Sequence, residues 1–160
     1  MKRIWIVLSL IPLLGLMGCG VKSSQAYYSY DSKIISSEKD GTYNIRACGR
    51  GRNAVVAYEE AKKQAVYDVV FNGVVSGNGQ INSLRPLMTD MNAKEKYEDY
   101  FNAFFADKGA YAQFASLKDR RILSSDWNRN KMQVLAQVSV TVDRAALKKK
   151  LIEDNILKTE

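Results

Sequence analysis

Seventeen carboxylates, two cysteines and no histidine bound the chemistry open to this chain of 160 residues. Without histidine it lacks the commonest general base and the commonest metal ligand. Paired carboxylates stand at Glu59-Glu60 and Glu98-Asp99, and Glu95 precedes Asp99 by one helical turn. Adjacent residues on a helix point about 100° apart, and Lys94 and Lys96 surround the Glu95–Asp99 pair. These are the patterns of solvated helix faces with ordinary ion pairs, not of an acid–base dyad. No serine sits in a Gly-x-Ser-x-Gly setting, and hydrolase chemistry is not expected. The chain is expected to be no enzyme, with neither a catalytic residue, a metal nor a cofactor.

One anion site is suggested. Gly49-x-Gly51-x-x-Ala54 falls between a strand pattern and a helix pattern, which superficially resembles a dinucleotide-binding turn. That turn needs a second parallel strand ending in an acidic residue. Here a long helix, a loop and another helix follow instead. Arg50 and Arg52, beside the helix start, would still hold a phosphate or carboxylate. The alternative is a pair of glycines that simply turn the chain.

The two cysteines differ in context. Cys19 follows Lys2 and Arg3, an uncharged apolar run from Ile4 to Met17, and the small residue Gly18. Charged head, apolar run and small-residue boundary are the parts of a secretory signal peptide. The run, 14 residues long, is shorter than the roughly 20 apolar residues of a membrane span. Leu16-Met17-Gly18-Cys19 resembles the lipobox of bacterial lipoproteins. The resemblance implies cleavage before Cys19, diacylation of its thiol and acylation (palmitate-type) of the new amino terminus. The membrane is then a partner through that lipid. Gly20, where an inner-membrane protein of this kind carries Asp, implies the outer membrane. The lack of an acidic run after Cys19 implies its periplasmic side. With Cys19 lipidated, Cys48 has no partner within the chain, and no disulfide framework is possible. Cys48 reads as a small, half-buried hydrophobe in an alternating segment.

Cleavage at 18/19 leaves 142 residues with a formal charge of +5, since two basic and no acidic residues are removed. That length fits one domain with a modest core, and the charge suits anionic headgroups or an acidic partner. No run of five like charges occurs; Lys148-Lys149-Lys150 is the densest basic cluster and reads as a solvated helix face. Export argues against nucleic acid.

The organisation follows from periodicity. Residues 19–41 are Ser-rich and read as a lipid-bearing cysteine and tether; the coil from Gly20 to Gly41 would span roughly 25 Å. Tyr27-Tyr28-Ser29-Tyr30 and Ile34-Ile35 leave an added edge strand as the alternative. A globular domain is expected over 42–155, with 156–160 as a tail. Thr42 to Arg50 alternates as a strand with one buried face. Asn53 caps a long helix to about Asn72, with Ala57, Ala61, Ala65 and Val69 on its inner side, stopped by Gly73. Glu59 and Lys63 stand at the favourable i, i+4 spacing. Val74 to Met91 is a long loop of the kind that tends to be functional or mobile. Asn92 caps a second helix, 93–106, whose Tyr97, Tyr100, Phe101, Phe104 and Phe105 form an aromatic stripe. Core packing is the default meaning of such a stripe. A ligand site using the 73–91 loop and this helix is the other, and it requires Tyr97, Tyr100 or Phe104 to face a concave surface. Tyr111 to Trp127 and Lys131 to Val142 read as a hairpin, with Val134, Ala136, Val138, Val140 and Val142 facing inward. Asp143 caps a C-terminal helix to about Asp154. The expected fold is α+β: a small antiparallel sheet, formed by a strand and then a Trp-bearing hairpin, covered by a long alanine-rich helix, with an aromatic helix and a C-terminal helix.

Strand, Gly49-Arg50-Gly51, the Ala57/Ala61/Ala65/Val69 helix with its Asn72-Gly73 stop, Trp127, and Val134 to Val140 running into Asp143-Arg144 together resemble a known group. They are similar to small bacterial surface lipoproteins related to the N-terminal domain of the flagellar assembly protein FlgT, over roughly residues 43 to 152. The resemblance implies a compact α+β fold and a role in envelope assembly or cell-surface interaction, with an envelope protein or polymer as partner. It implies no catalytic residues, and the insert between Gly73 and Asn92 has no counterpart in it.

Overall fold

The computed structural model describes residues 32–77, 79–128 and 131–158, with backbone alone for 123–132. The expected signal segment, Cys19 and the expected tether as far as residue 31 lie outside the described residues. The architecture is α+β: one mostly antiparallel five-stranded sheet with four α-helices. The strands are β1 (Lys33–Ser37), β2 (Thr42–Gly51), β3 (Val75–Ser76), β4 (Ala115–Asn128) and β5 (Lys131–Asp143), in the order β3-β1-β2-β5-β4. Only β3 and β1 run parallel. The helices are α1 (Ala54–Tyr67), α2 (Ala93–Lys96), α3 (Glu98–Phe104) and α4 (Arg144–Glu153).

Period-two patterning sets the sheet. Val134, Ala136, Val138, Val140 and Val142 are all buried, and Val138 and Val140 pair with the inward Ala47 and Ile45 of β2. The opposite face carries Arg46, Cys48, Gln137, Ser139 and Thr141. Among the described residues Asn44 is the one buried polar side chain on that face: its amide donates to Ser36 Oγ at 2.7 Å and its carbonyl accepts from Thr141 Oγ1 at 2.7 Å.

The glycines of the Gly49-Arg50-Gly51 segment do not turn the chain. Strand β2 runs through Gly51, and the glycines let α1 lie on the sheet. A Cβ on Gly49 would fall 2.2 Å from Ala57 O and 2.3 Å from Ala61 N. Ala57, Ala61 and Ala65 are wholly buried on the facing side of α1. Asn53 caps the helix, its Oδ1 accepting from Val56 N at 2.9 Å. The ion pairs on the outer side form at i, i+3, Glu59 with Lys62 and Glu60 with Lys63, rather than between Glu59 and Lys63.

Beyond Tyr67 the helix widens into a π turn, Asp68–Asn72. Asp68, Val69 and Val70 are consecutively buried there. Asp68 accepts from Gln64 at 2.8 Å, from Asn72 at 2.7 Å and from Ser32, tying the start of the domain to α1. Gly73 then turns at φ 77°, where a Cβ would meet Leu84 O at 2.6 Å.

Several boundaries differ from expectation. Residues 32–41 belong to the fold rather than to a tether: β1 pairs with β2 on one side and β3 on the other, and Ile34 is wholly buried. The start of the expected 156–160 tail also belongs to the fold, since Ile156 is buried and its amide donates to Leu151 O at 2.9 Å. The 74–91 loop is pinned rather than free. Val74 and Leu84 form an antiparallel bridge. The amides of Leu87 and Met88 donate to Val69 O and Val70 O, which the end of the π turn leaves open. Leu84, Leu87 and Met88 are in the core. The expected helix over 93–106 is two pieces, kinked at Tyr97 (φ −120°, ψ 33°), and Asn92 makes no side-chain cap. A 3₁₀ turn, Ala110–Phe114, occupies what was expected to open the hairpin, so β4 begins at Ala115. Asp143 caps α4, accepting from Ala146 N at 2.8 Å.

Candidate functional site

Helical spacing along α3, about 100° between neighbours, sends Tyr100 and Phe104 to one side of the helix and Phe101 and Phe105 to another. On one side Tyr100 donates to Asp154 Oδ2 at 2.7 Å, whose other oxygen accepts from Lys150 at 2.7 Å. Burial and the Asp154 carboxylate push the Tyr100 phenol far above its usual range. Lys150 and Tyr100 hold the Asp154 carboxyl below the ordinary carboxylate range. Phe104 is buried, stacked between Tyr100 and Phe114. Tyr97 is half-buried, beneath the Lys96 ammonium. Tyr100 and Phe104 tie α3 to α4 and to the 3₁₀ turn, while Tyr97 and Tyr100 line a hollow of about 340 Å³ whose other walls are Glu95, Lys96, Glu98 and Asp99 of the same segment.

The other side has a hollow built from two helical segments. Between α1 with its π turn and the α2–α3 pair lies an open groove of about 520 Å³, within the range of small-ligand sites. Its aromatic part is Tyr67 and Phe71 from the first helix and Phe101 and Phe105 from the second. The rings meet edge-on or tilted: Phe71 to Phe101 at 4.7 Å and 68°, Tyr67 to Phe71 at 4.9 Å and 51°, Tyr67 to Phe105 at 5.7 Å and 60°. Phe101 is buried; the other three are half-buried, keeping apolar surface against the open space. Polar residues share the lining: Glu60 with Gln64 on α1 and Glu98 with Asn102 on α3, each pair one helical turn apart, beside Lys63, Lys94 and Glu95. The Lys94 ammonium lies 4.5 Å from the Tyr67 ring centre and 5.0 Å from that of Phe71, a cation–π contact. Lys63 is engaged by Glu60 at 3.2 Å and Asp107 at 3.6 Å, which hold its ammonium above the usual lysine range despite partial burial.

The groove differs from the expected site in two ways. No residue of the 73–91 loop lines it, because that loop is bound to the π turn and the core. None of Arg50, Arg52, Tyr97, Tyr100 or Phe104 lines it either. Arg50 and Arg52 are exposed near the start of α1, whose amide is already met by Asn53, and are not brought to the aromatic residues. The residues that were missed carried a visible signal: Tyr67/Phe71 and Phe101/Phe105 are aromatic pairs at i, i+4 on two successive helices.

Cys48 is half-buried on the sheet face away from the helices, accepts a weak bond from Gln137 Nε2 at 3.8 Å, and has its thiol pushed up by burial. Among the described residues no three His, Cys, Asp or Glu side chains gather as a metal site, and no helix is long and apolar enough to cross a membrane. No protein-family model, curated protein or solved structure matches the chain.

Proposed function

We propose that this chain is a lipid-anchored, non-enzymatic binding protein of the bacterial cell envelope, whose α1–α3 groove takes a saccharide segment of an envelope polymer. The observation that carries the binding reading is the groove itself. Aromatic faces suit the C–H faces of sugar rings, and the planar amide and carboxylate groups of Gln64, Asn102 and Glu98 suit sugar hydroxyls. The lipobox-like Leu16-Met17-Gly18-Cys19 supports the anchor and the compartment, with the outer membrane and its periplasmic side favoured by Gly20 and the lack of a following acidic run. The likeness to FlgT-related lipoproteins, with its alanine-rich helix and Trp127 hairpin, supports an assembly role at the envelope. Titration of the full chain with N-acetylglucosamine oligomers, followed by NMR, tests the groove. Resonances of Tyr67, Phe101, Asn102 and Phe105 should shift together, and Asn102→Ala should weaken binding about five- to tenfold for one lost hydrogen bond. No shifts, or shifts confined elsewhere, would overturn the assignment.

A further inference from the structure

The sheet's second face carries an electrostatic pattern that the groove does not use. Strand register places Lys33 beside Arg46, Arg46 beside Ser139, and Ser139 beside Asp119. One row along, Cys48 pairs with Gln137 and Gln137 with Arg121. Arg50 continues the β2 side of the same face. Lys33, Arg46, Arg50 and Arg121 are all exposed, and Asp119 is the one carboxylate among these rows. The helical side is mixed instead: Glu59 and Glu60 pair with Lys62 and Lys63, and Lys94 stands with Glu95 and Glu98 along the groove. The helices bury their apolar residues in the core on that helical side, so among the described residues no helix lies over the basic face. A sheet face left to water is ordinary. Four exposed cations against one carboxylate on these rows, where the helical side carries both signs, are a directional feature, and they fit an anionic surface.

The chain's own attachment selects the surface. Lys33 opens both β1 and the basic row. Only 13 residues separate it from Cys19, a stretch that reaches at most about 45 Å when fully extended. A domain so tethered stays beside the bilayer and must turn some face to it. We propose that the β1-β2-β5-β4 face lies on anionic lipid headgroups, with Arg46 and Arg121 as its principal contacts. The groove, on the helical side, is thereby turned away from the membrane. The inference rests on the lipid-anchor reading for its geometry and on the register for its residues.

Cys48, between Arg46 and Arg121 in the register, is a native reporter. The lipidated full chain is reconstituted in phosphatidylcholine vesicles with and without phosphatidylglycerol, and labelling of Cys48 by a water-soluble maleimide is timed. The anionic vesicles should slow labelling several-fold. High salt should restore the rate, because screening weakens headgroup contacts. Arg46→Glu with Arg121→Glu should restore it as well, and Lys33→Glu in part; circular dichroism confirms that each variant is folded. Equal rates on both vesicles, or protection that survives salt and the double substitution, would overturn the proposal. Protection in whole envelopes but not on anionic vesicles would also overturn it, assigning the face to an acidic protein. Flotation separates this claim from the anchor. A chain that does not float with phosphatidylcholine vesicles lacks the lipid, and the face claim then stands or falls on whether anionic vesicles alone carry it upward.

Discussion

Gly49→Ala is the sharpest test of how α1 lies on the sheet. The added methyl carbon would stand 2.2 Å from Ala57 O and 2.3 Å from Ala61 N, and 2.9 Å from Ala61 Cα. All three are backbone atoms of the facing helix, so no side-chain rotation relieves them. The helix must move by about 1 Å, against a core in which Ala57, Ala61 and Ala65 are wholly buried. Overpacking of this kind costs about 1–3 kcal/mol, and its backbone target puts it at the upper end, about 2–3 kcal/mol. For a domain of this size each kcal/mol moves the melting midpoint by about 4 °C, so thermal unfolding should occur about 8–12 °C lower. Adding Ala61→Gly should give no rescue, since it removes a side chain and not the clashing amide. Gly79→Ala is the control: its φ is +71° and no atom lies within 4 Å of the added carbon, so only conformational strain of about 1–2 kcal/mol applies. An unchanged midpoint for Gly49→Ala, or recovery in the Ala61→Gly double variant, would refute the packing argument.

Asp68→Ala should cost about 2–4 kcal/mol, because Ser32, Gln64 and Asn72 lose a shared acceptor and Ser32 is buried; a shift in the urea midpoint checks this. Tyr100 keeps its proton in the folded chain well above the pH at which the unfolded chain releases it, at about 10. The unfolded state then binds fewer protons above pH 10 and stability falls as pH rises. Urea midpoints at pH 8 and 11 should show this fall, and Tyr100→Phe should remove part of it. Asp154 has a lowered folded pKa, so its contribution is present at neutral pH and is lost as pH drops through the acid range; Tyr100→Phe should weaken that acid-side dependence too.

Period and chemistry did not make all parts of this fold equally legible. Strand β5 and helix α1 stand out because long stretches repeat a single rule, alternation in Val134 to Val142 and alanine spacing from Ala57 to Ala65. Strand β1 does not, since five residues with three serine or lysine positions carry too little pattern, and its place comes from pairing on both sides. The 74–91 loop owes its order to carbonyls of Val69 and Val70, which become acceptors only because the helix ends in a π turn. The glycines at 49 and 51 announce a special backbone need, yet whether that need is a turn or a close approach depends on the helix lying over them. The groove was half legible. One aromatic helix was evident, but which of its rings face the groove depends on how it packs against α1, and the partner rings Tyr67 and Phe71 come from a helix dominated by its alanines.

The compartment, the saccharide reading and the headgroup contact all depend on Cys19. Mass spectrometry of the N-terminal peptide from the mature protein, with Cys19→Ser as the comparison, tests it directly. The account predicts a chain that begins at Cys19, carries a diacylglyceryl thioether and an N-acyl group, and is neither cleaved nor lipidated in the variant. A mature chain with a free Cys19 thiol, or with residues 1–18 still attached, would contradict it.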